Sequence, residues 1–259
     1  MMSEKTLLQT RDLSIQFGGI RAVDGVEFSV HAGEVVGLIG PNGAGKTTLL
    51  NLITGVYKPT SGTVIFDGRR IDGRVPHLIA RSGIARTFQN IRLFRSLTVM
   101  EHVQLALGSA TGHLKSVFQL KPTDHARDAT VMGSVEDTLT RFGLWDQRTQ
   151  VASELSYGLQ RKLEIVRALM LQPQLLLLDE PTAGMNEDET MEVADLIRLL
   201  SDLGLGVLLI EHNMPFVGKT CDRVAVINFG KQITTGSPEE VRRDPRVLEA
   251  YLGDDHDYS

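Results

Sequence analysis

GPNGAGKTT, residues 40–48, carries the densest chemistry in the sequence. Gly40, Gly45, Lys46 and Thr47 fit G-x-x-x-x-G-K-[ST] in full, after an apolar strand pattern and before a helical one. Glycines at 40, 43 and 45 let the backbone bend round an anion and aim its N–H groups inward, with Pro41, Asn42 and Ala44 completing the loop. Lys46 can then reach outer phosphates, Thr47 can ligate Mg²⁺ and Thr48 can donate to an inner phosphate.

LLLLDE, residues 175–180, supplies a second part. A buried strand ending in Asp179 places a carboxylate at the sheet's carboxyl edge, where α/β folds bind ligands. Asp179 would hold Mg²⁺ there. Side chains alternate along a strand, so Glu180 points elsewhere and is the candidate to orient or deprotonate an attacking water. A third segment, ELSYGLQRKLEIVRALMLQP (154–173), opens with Ser156 and Gly158 and runs into a basic amphipathic helix. Leu159, Leu163, Val166 and Met170 fall on one face, and Pro173 stops it. Its start is another candidate anion site, since Ser caps helices and free N–H groups attract anions. The sequence contains no N-K-x-D motif for guanine, which argues against a GTPase switch.

The elements that must position these groups read as an α/β alternation. Strands are expected over 7–17, 26–40, 61–68, IARTFQ, LLLLDE and GVLLIEH, with RVAVINFG and KQITTG as a hairpin. Helices are expected over KTTLLNLITG, VPHLIARSG, ETMEVADLIRLLSDLG and PEEVRRDPRVLEAYLG. Strands alternating with helices imply a largely parallel sheet. Residues 93–153 differ: LTVMEHVQLAL and SVEDTLTRFGLWDQ read as helices, and the stretch from Gly108 to Asp128 as loop with broken helix. A helical lobe at 93–153, inserted into an α/β core of 1–92 and 154–259, is therefore expected within a single domain, with DDHDYS as a loose tail.

The chain has 259 residues, 42% of them hydrophobic, enough for a sizeable core. A net charge of −5 argues against a nucleic-acid coat protein. The single cysteine, Cys221, permits no internal disulfide and reads as a packing residue. The N-terminus has no secretory pattern, and no apolar run nears the roughly 20 residues of a spanning helix, so other subunits must do any spanning.

Taken in order, Phe17, GPNGAGKTT, Gln89, LSYGL, LLLLDEPTAGMN and His212 resemble the ATP-binding cassette family, the nucleotide-binding subunits of ABC transporters. The resemblance implies a P-loop ATPase fold with an N-terminal antiparallel β-subdomain, a mainly parallel core and an inserted α-helical lobe. It implies that Phe17 stacks on adenine, that Gln89 touches Mg²⁺ or the lytic water, and that His212 hydrogen-bonds the γ-phosphate of ATP. It also implies that two cassettes close head-to-tail, each chain's Ser156–Gly158 covering phosphates held by the other's Lys46 loop.

Two departures stand out: LSYGL against the family's usual LSGGQ, and Asn186 where the dimer-contact loop usually has Asp. The implied partners are a second ATPase chain, same or homologous, two transmembrane permease subunits, and indirectly a periplasmic or extracellular substrate-binding protein. The implied location is peripheral, on the cytoplasmic face of the inner membrane. Leu93, Phe94 and Leu97 would anchor a short permease helix, or else hold the helical lobe. RTFQNIRLFRSLTVMEHV, AGMN, IEHNM and DPRVLEAYLG resemble an ATPase subunit of bacterial branched-chain amino acid importers. Related cassettes of urea or amide importers, of lipopolysaccharide exporters, and soluble non-transport cassettes are the alternatives.

Overall fold

In a computed structural model, the structure describes residues 5–111, 129–130 and 133–252. Two sheets organise them. The first is antiparallel, with strand order β2–β1–β5–β6 and β3 also paired to β1: β1 (Thr6–Phe17), β2 (Ile20–Val26), β3 (Ser29–His31), β5 (Ser61–Phe66) and β6 (Arg69–Arg70). The second has six strands in the order β13–β12–β4–β11–β10–β7. These are β4 (Val35–Ile39), β7 (Ile84–Arg86), β10 (Leu175–Asp179), β11 (Gly206–Ile210), β12 (Arg223–Asn228) and β13 (Lys231–Gly236). Its neighbours are parallel except β13, which returns antiparallel from β12.

β4, β10 and β11 are buried along their whole length, as strands covered on both faces must be. Their side chains alternate between two cores. Val35, Ile39, Leu176, Leu178, Val207 and Leu209 face a core shared with helices, and Val36, Leu38, Leu175, Leu177, Leu208 and Ile210 a core shared with the antiparallel sheet.

α1 (Lys46–Ile53) packs into the second core through Leu49, Leu50, Leu52 and Ile53. α2 (Pro76–Arg81) seats Ile79 beside it. α3 (Val99–Thr111), α4 (Val135–Arg141), α5 (Tyr157–Leu169), α6 (Glu187–Asp202) and α7 (Met214–Thr220) contribute to the first core, and α8 (Pro238–Arg243) and α9 (Pro245–Leu252) reach it through Val241 and Val247.

Local chemistry accounts for the differences from expectation. The strand expected over 26–40 is two strands, because Gly33 turns at φ +72 and separates β3 from β4. β2 was not anticipated: Asp24 and Gly25 break its pattern, yet it pairs with β1 and bridges to the β12–β13 turn. The C-terminal helix is two helices, because Pro245 removes a donor and Asp244 adopts an extended conformation. Between α3 and α4, β8 (Ala129–Thr130) and β9 (Gly133–Ser134) form a short hairpin in a segment expected to lack strands. Most of the loop expected over 108–128, and the tail DDHDYS, lie outside the described residues.

Candidate active site

The phosphate loop follows β4 and leads into α1. Its glycines are fixed by what surrounds them. A Cβ on Gly40 would sit 2.0 Å from the Ile227 carbonyl oxygen, and one on Gly45 2.4 Å from that of Ala22, so neither position accepts a side chain. Gly43, at φ +77, meets nothing within 4 Å; there the backbone angle alone asks for glycine. The loop is braced from outside by the β12–β13 turn, whose Gly230 donates its N–H to the Ala44 carbonyl at 2.9 Å. Asn42, Gly43 and Thr47 are exposed, Thr48 is half-buried, and Pro41 and Ala44 are buried. The Lys46 ammonium folds back over the loop and donates to the carbonyls of Gly40 at 2.6 Å and Pro41 at 2.7 Å.

β10 delivers the two acids in different directions. Asp179 is buried and accepts from Arg86 Nη2 through Oδ2 at 3.0 Å. Arg86 is held in turn by Asn51 Oδ1 on α1 at 2.7 Å and by Oγ1 of Thr54, the residue that ends α1, at 3.3 Å. Burial raises the Asp179 pKa above its ordinary value, against the pull of Arg86. Glu180 turns away at φ +48, and its Oε2 accepts from Gln89 Nε2 at 2.7 Å. The expectation that the two acids diverge therefore holds. Gln89 thus lies on Glu180, whereas its expected contact was with Mg²⁺ or the lytic water.

His212 follows β11 with its ring exposed, and its backbone N–H donates to Glu211 Oε2 at 3.0 Å. Glu211 is buried and also accepts from the Thr182 N–H at 3.2 Å and from the Thr182 hydroxyl, tying the PTAGMN loop to the segment carrying His212. Phe17 is half-exposed and meets Tyr57 edge-on, centroids 5.2 Å apart, so the candidate adenine shelf has two rings.

Ser156 caps α5, its hydroxyl accepting from the Leu159 N–H at 3.4 Å. Gly158 is buried, and a Cβ there would come within 2.5 Å of Glu189 Oε1. The two residues thus differ: Ser156 faces solvent, whereas Gly158 lets α5 pack on the start of α6. Asn186 caps α6 in a capping box with Glu189, at 2.9 and 3.1 Å. Either Asn or Asp can fill that place, which accounts for the departure at 186 without invoking a second chain. Leu93 packs against the core and Phe94 is more than half exposed, so the two serve different ends: Leu93 holds the lobe and Phe94 stays open.

Sequence reasoning missed Arg86, Tyr57, Glu211 and Arg161. Arg86 had a legible signal, a cation on a buried strand in register with Leu177, two residues before Asp179. Arg161 is fully buried although α5 reads as basic and solvent-facing on that side.

Comparison with known proteins places this geometry. The ABC transporter family matches residues 23–183, and the family "Branched-chain amino acid ATP-binding cassette transporter" matches 231–257. The chain is 42% identical over 255 residues to the high-affinity branched-chain amino acid transport ATP-binding protein LivG of Escherichia coli (strain K12), covering 96% of this chain and 98% of that one. It is 33% identical over 248 residues to the lipopolysaccharide export system ATP-binding protein LptB of the same strain, covering 96% and 98%. Among solved structures, the ADP conformation of MJ1267, an ATP-binding cassette of an ABC transporter, superposes with a TM-score of 0.81 at 32% identity, covering 96% and 99%.

Proposed function

This chain belongs to the ABC transporter ATPases, and within that family we propose that it energises an importer of branched-chain amino acids. The C-terminal match over 231–257 supports that cargo, as does the greater identity to the branched-chain ATPase than to the lipopolysaccharide export protein. Its partners in that role are transmembrane permease subunits, which the similarity to transport ATP-binding proteins supports. Among the described residues of this chain no helix is long and apolar enough to cross a membrane. The cassette sits against their cytoplasmic face, and a binding protein on the far side delivers the cargo to them.

The site residues divide the work of ATP hydrolysis. Gly40 to Gly45 wrap the phosphates with backbone N–H groups, and Lys46 exchanges its two carbonyl partners for phosphate oxygens. Thr47, Asp179 and Gln89 would hold Mg²⁺. Among the described residues no three His, Cys, Asp or Glu side chains converge, and Mg²⁺ suits such a sparse set because it takes its remaining ligands from phosphates and water. When bound, the ion would neutralise charge on the phosphates.

Glu180 takes a proton from the attacking water, Gln89 steadies its carboxylate, and His212 donates to the γ-phosphate. Phe17 and Tyr57 stack against adenine. Ser156 and the start of α5 cover the phosphates of a second cassette, so that ATP favours the closed pair and hydrolysis releases it.

The observation that carries the catalytic reading is the Gln89–Glu180 hydrogen bond at the carboxyl end of β10, beside the phosphate loop's sheet edge. Glu180→Gln tests it: ATP binding stays within about twofold, turnover falls by about 10²-fold or more, and a closed dimer accumulates with ATP. Hydrolysis at the parent rate would sink the assignment. Transport of labelled leucine by the chain reconstituted with its permeases tests the cargo.

A further inference from the structure

α5 presents three charged side chains, at 161, 164 and 167, to one stretch of backbone. Arg161 Nη1 donates to the Phe88 carbonyl at 2.7 Å and Nη2 to the Gln89 carbonyl at 2.5 Å. Glu164 Oε1 accepts from the Arg92 N–H at 3.2 Å, and Arg167 Nη1 donates to the Arg92 carbonyl at 2.6 Å. Arg161 also pairs with Glu164 at 3.0 Å and donates from Nη2 to the Tyr157 hydroxyl at 3.2 Å. The Tyr157 ring in turn lies against Gly184, where a Cβ would be 3.0 Å from Cε1. Arg161 is thus a fully buried cation whose partners are two loop carbonyls, one carboxylate and one phenol.

Burying a guanidinium is costly unless it is paired and hydrogen-bonded. A surface-turned helix would need no such group here. The group joins the loop carrying Gln89 to the start of α5 and, through the Tyr157 ring, reaches Gly184 of the PTAGMN loop.

We propose that Arg161 is a positioning residue for hydrolysis, clamping the Phe88–Gln89 backbone to α5 so that the Gln89 amide stays on Glu180, with Tyr157 holding the outer guanidinium nitrogen. It accounts for the departure in LSYGL, because a glycine at 157 would leave Nη2 without the phenol and Gly184 without its ring contact. It also makes α5 and Gln89 move together: phosphates of a second chain that pull on the Ser156 end pull on Gln89 through Arg161. The inference rests on the reading of Gln89 and Glu180 given above.

Arg161→Lys tests it in the full chain. Lysine keeps the charge beside Glu164 but lacks the planar fork that spans two carbonyls. Turnover falls about tenfold, the loss of one such hydrogen bond, while ATP KM and Mg²⁺-free ATP binding stay within about twofold. Combined with Gln89→Ala, it is no slower than Gln89→Ala alone, because both act on the same contact.

A parent turnover for a folded Arg161→Lys, or rate penalties that multiply in the double variant, overturns the proposal. Should Arg161→Lys fail to fold, Tyr157→Phe carries the test at a half-exposed position. About threefold slower turnover, again not compounding with Gln89→Ala, supports the clamp, and an unchanged rate refutes it. Glu180→Gln in parallel separates the two readings. If Glu180→Gln abolishes turnover while Arg161→Lys keeps the parent rate, only the clamp fails; if Glu180→Gln itself keeps the parent rate, the assignment of Glu180 fails first.

Discussion

Arg86→Met isolates the cost of the buried charge beside the phosphate loop. Arg86 and Asp179 lie 3.0 Å apart with side chains 8% and 5% exposed, so neither is well solvated. Methionine keeps much of the volume and removes the cation, leaving an uncompensated carboxylate and also freeing Asn51 Oδ1 and Thr54 Oγ1. Breaking such a pair costs about 3–5 kcal/mol. For a chain of this size 1 kcal/mol shifts the melting temperature by about 2–4 °C, so a fall of roughly 10 °C is expected.

The pH dependence follows from the sign of the shift. Burial already raises the Asp179 pKa above its ordinary 3.8, so the folded state binds its proton more tightly than the unfolded state. Its penalty is absent below the ordinary value and is complete above the folded pKa. Losing Arg86 raises the folded pKa further, so the deficit of Arg86→Met grows as pH rises through that window. Thermal unfolding by circular dichroism between about pH 5 and pH 8 reads this out. Adding Asp179→Asn to Arg86→Met restores most of the loss at neutral pH, since no buried charge remains. A melting temperature within about 2 °C of the parent, or a deficit that shrinks with rising pH, would refute the argument.

Gly45→Ala places a methyl 2.4 Å from the Ala22 carbonyl at φ +104, so equilibrium binding should show ATP affinity lost, with a lowered melting temperature. Tyr57→Ala removes one ring of the Phe17 shelf and should weaken ATP binding by about 1 kcal/mol, roughly fivefold, in titration calorimetry without change in the unfolding temperature of more than about 2 °C. Burial pushes the Cys221 thiol up to about 12, so it should resist a disulfide reagent near pH 8 in the folded chain and react at once in denaturant.

The legible parts of this protein are those in which local pattern and local chemistry coincide. Val35–Ile39 and Leu175–Asp179 are buried on both faces, and such strands read as unbroken apolar runs. The phosphate loop could be read because its glycines answer to geometry within a few residues. β2 could not, because what fixes it is distant: its Asp24 N–H is satisfied by Gly230, over two hundred residues away. Arg161 and Glu164 belong to the same class. On a helical wheel they lie opposite Leu159 and Met170 and look like a solvated face, and only the fold brings residues 88–92 over them.

That contrast bears on how the site is assembled. The groups proposed to act on the phosphates within one chain stand at or just beyond the ends of β4, β7, β10 and β11 and on the start of α1, where parallel pairing fixes the backbone. The groups that aim them are buried ions reaching between elements: Arg86 from β7 to Asp179, Glu211 from the end of β11 to Thr182, and Arg161 from α5 to Gln89. Buried ions stabilise little when compared with apolar side chains of similar volume, so stability is a weak reason for three of them to surround one sheet edge. Their common property is direction, since each fixes the orientation of a specific carbonyl, hydroxyl or carboxylate. Replacing Glu211 by Gln would keep its volume and part of its hydrogen bonding. The expected result is a nearly unchanged melting temperature with turnover reduced severalfold, as either the Thr182 or the His212 segment loses its acceptor and the carboxylate no longer ties the two together. A variant that instead melted far lower with full turnover per folded molecule would show that this ion serves stability and not alignment.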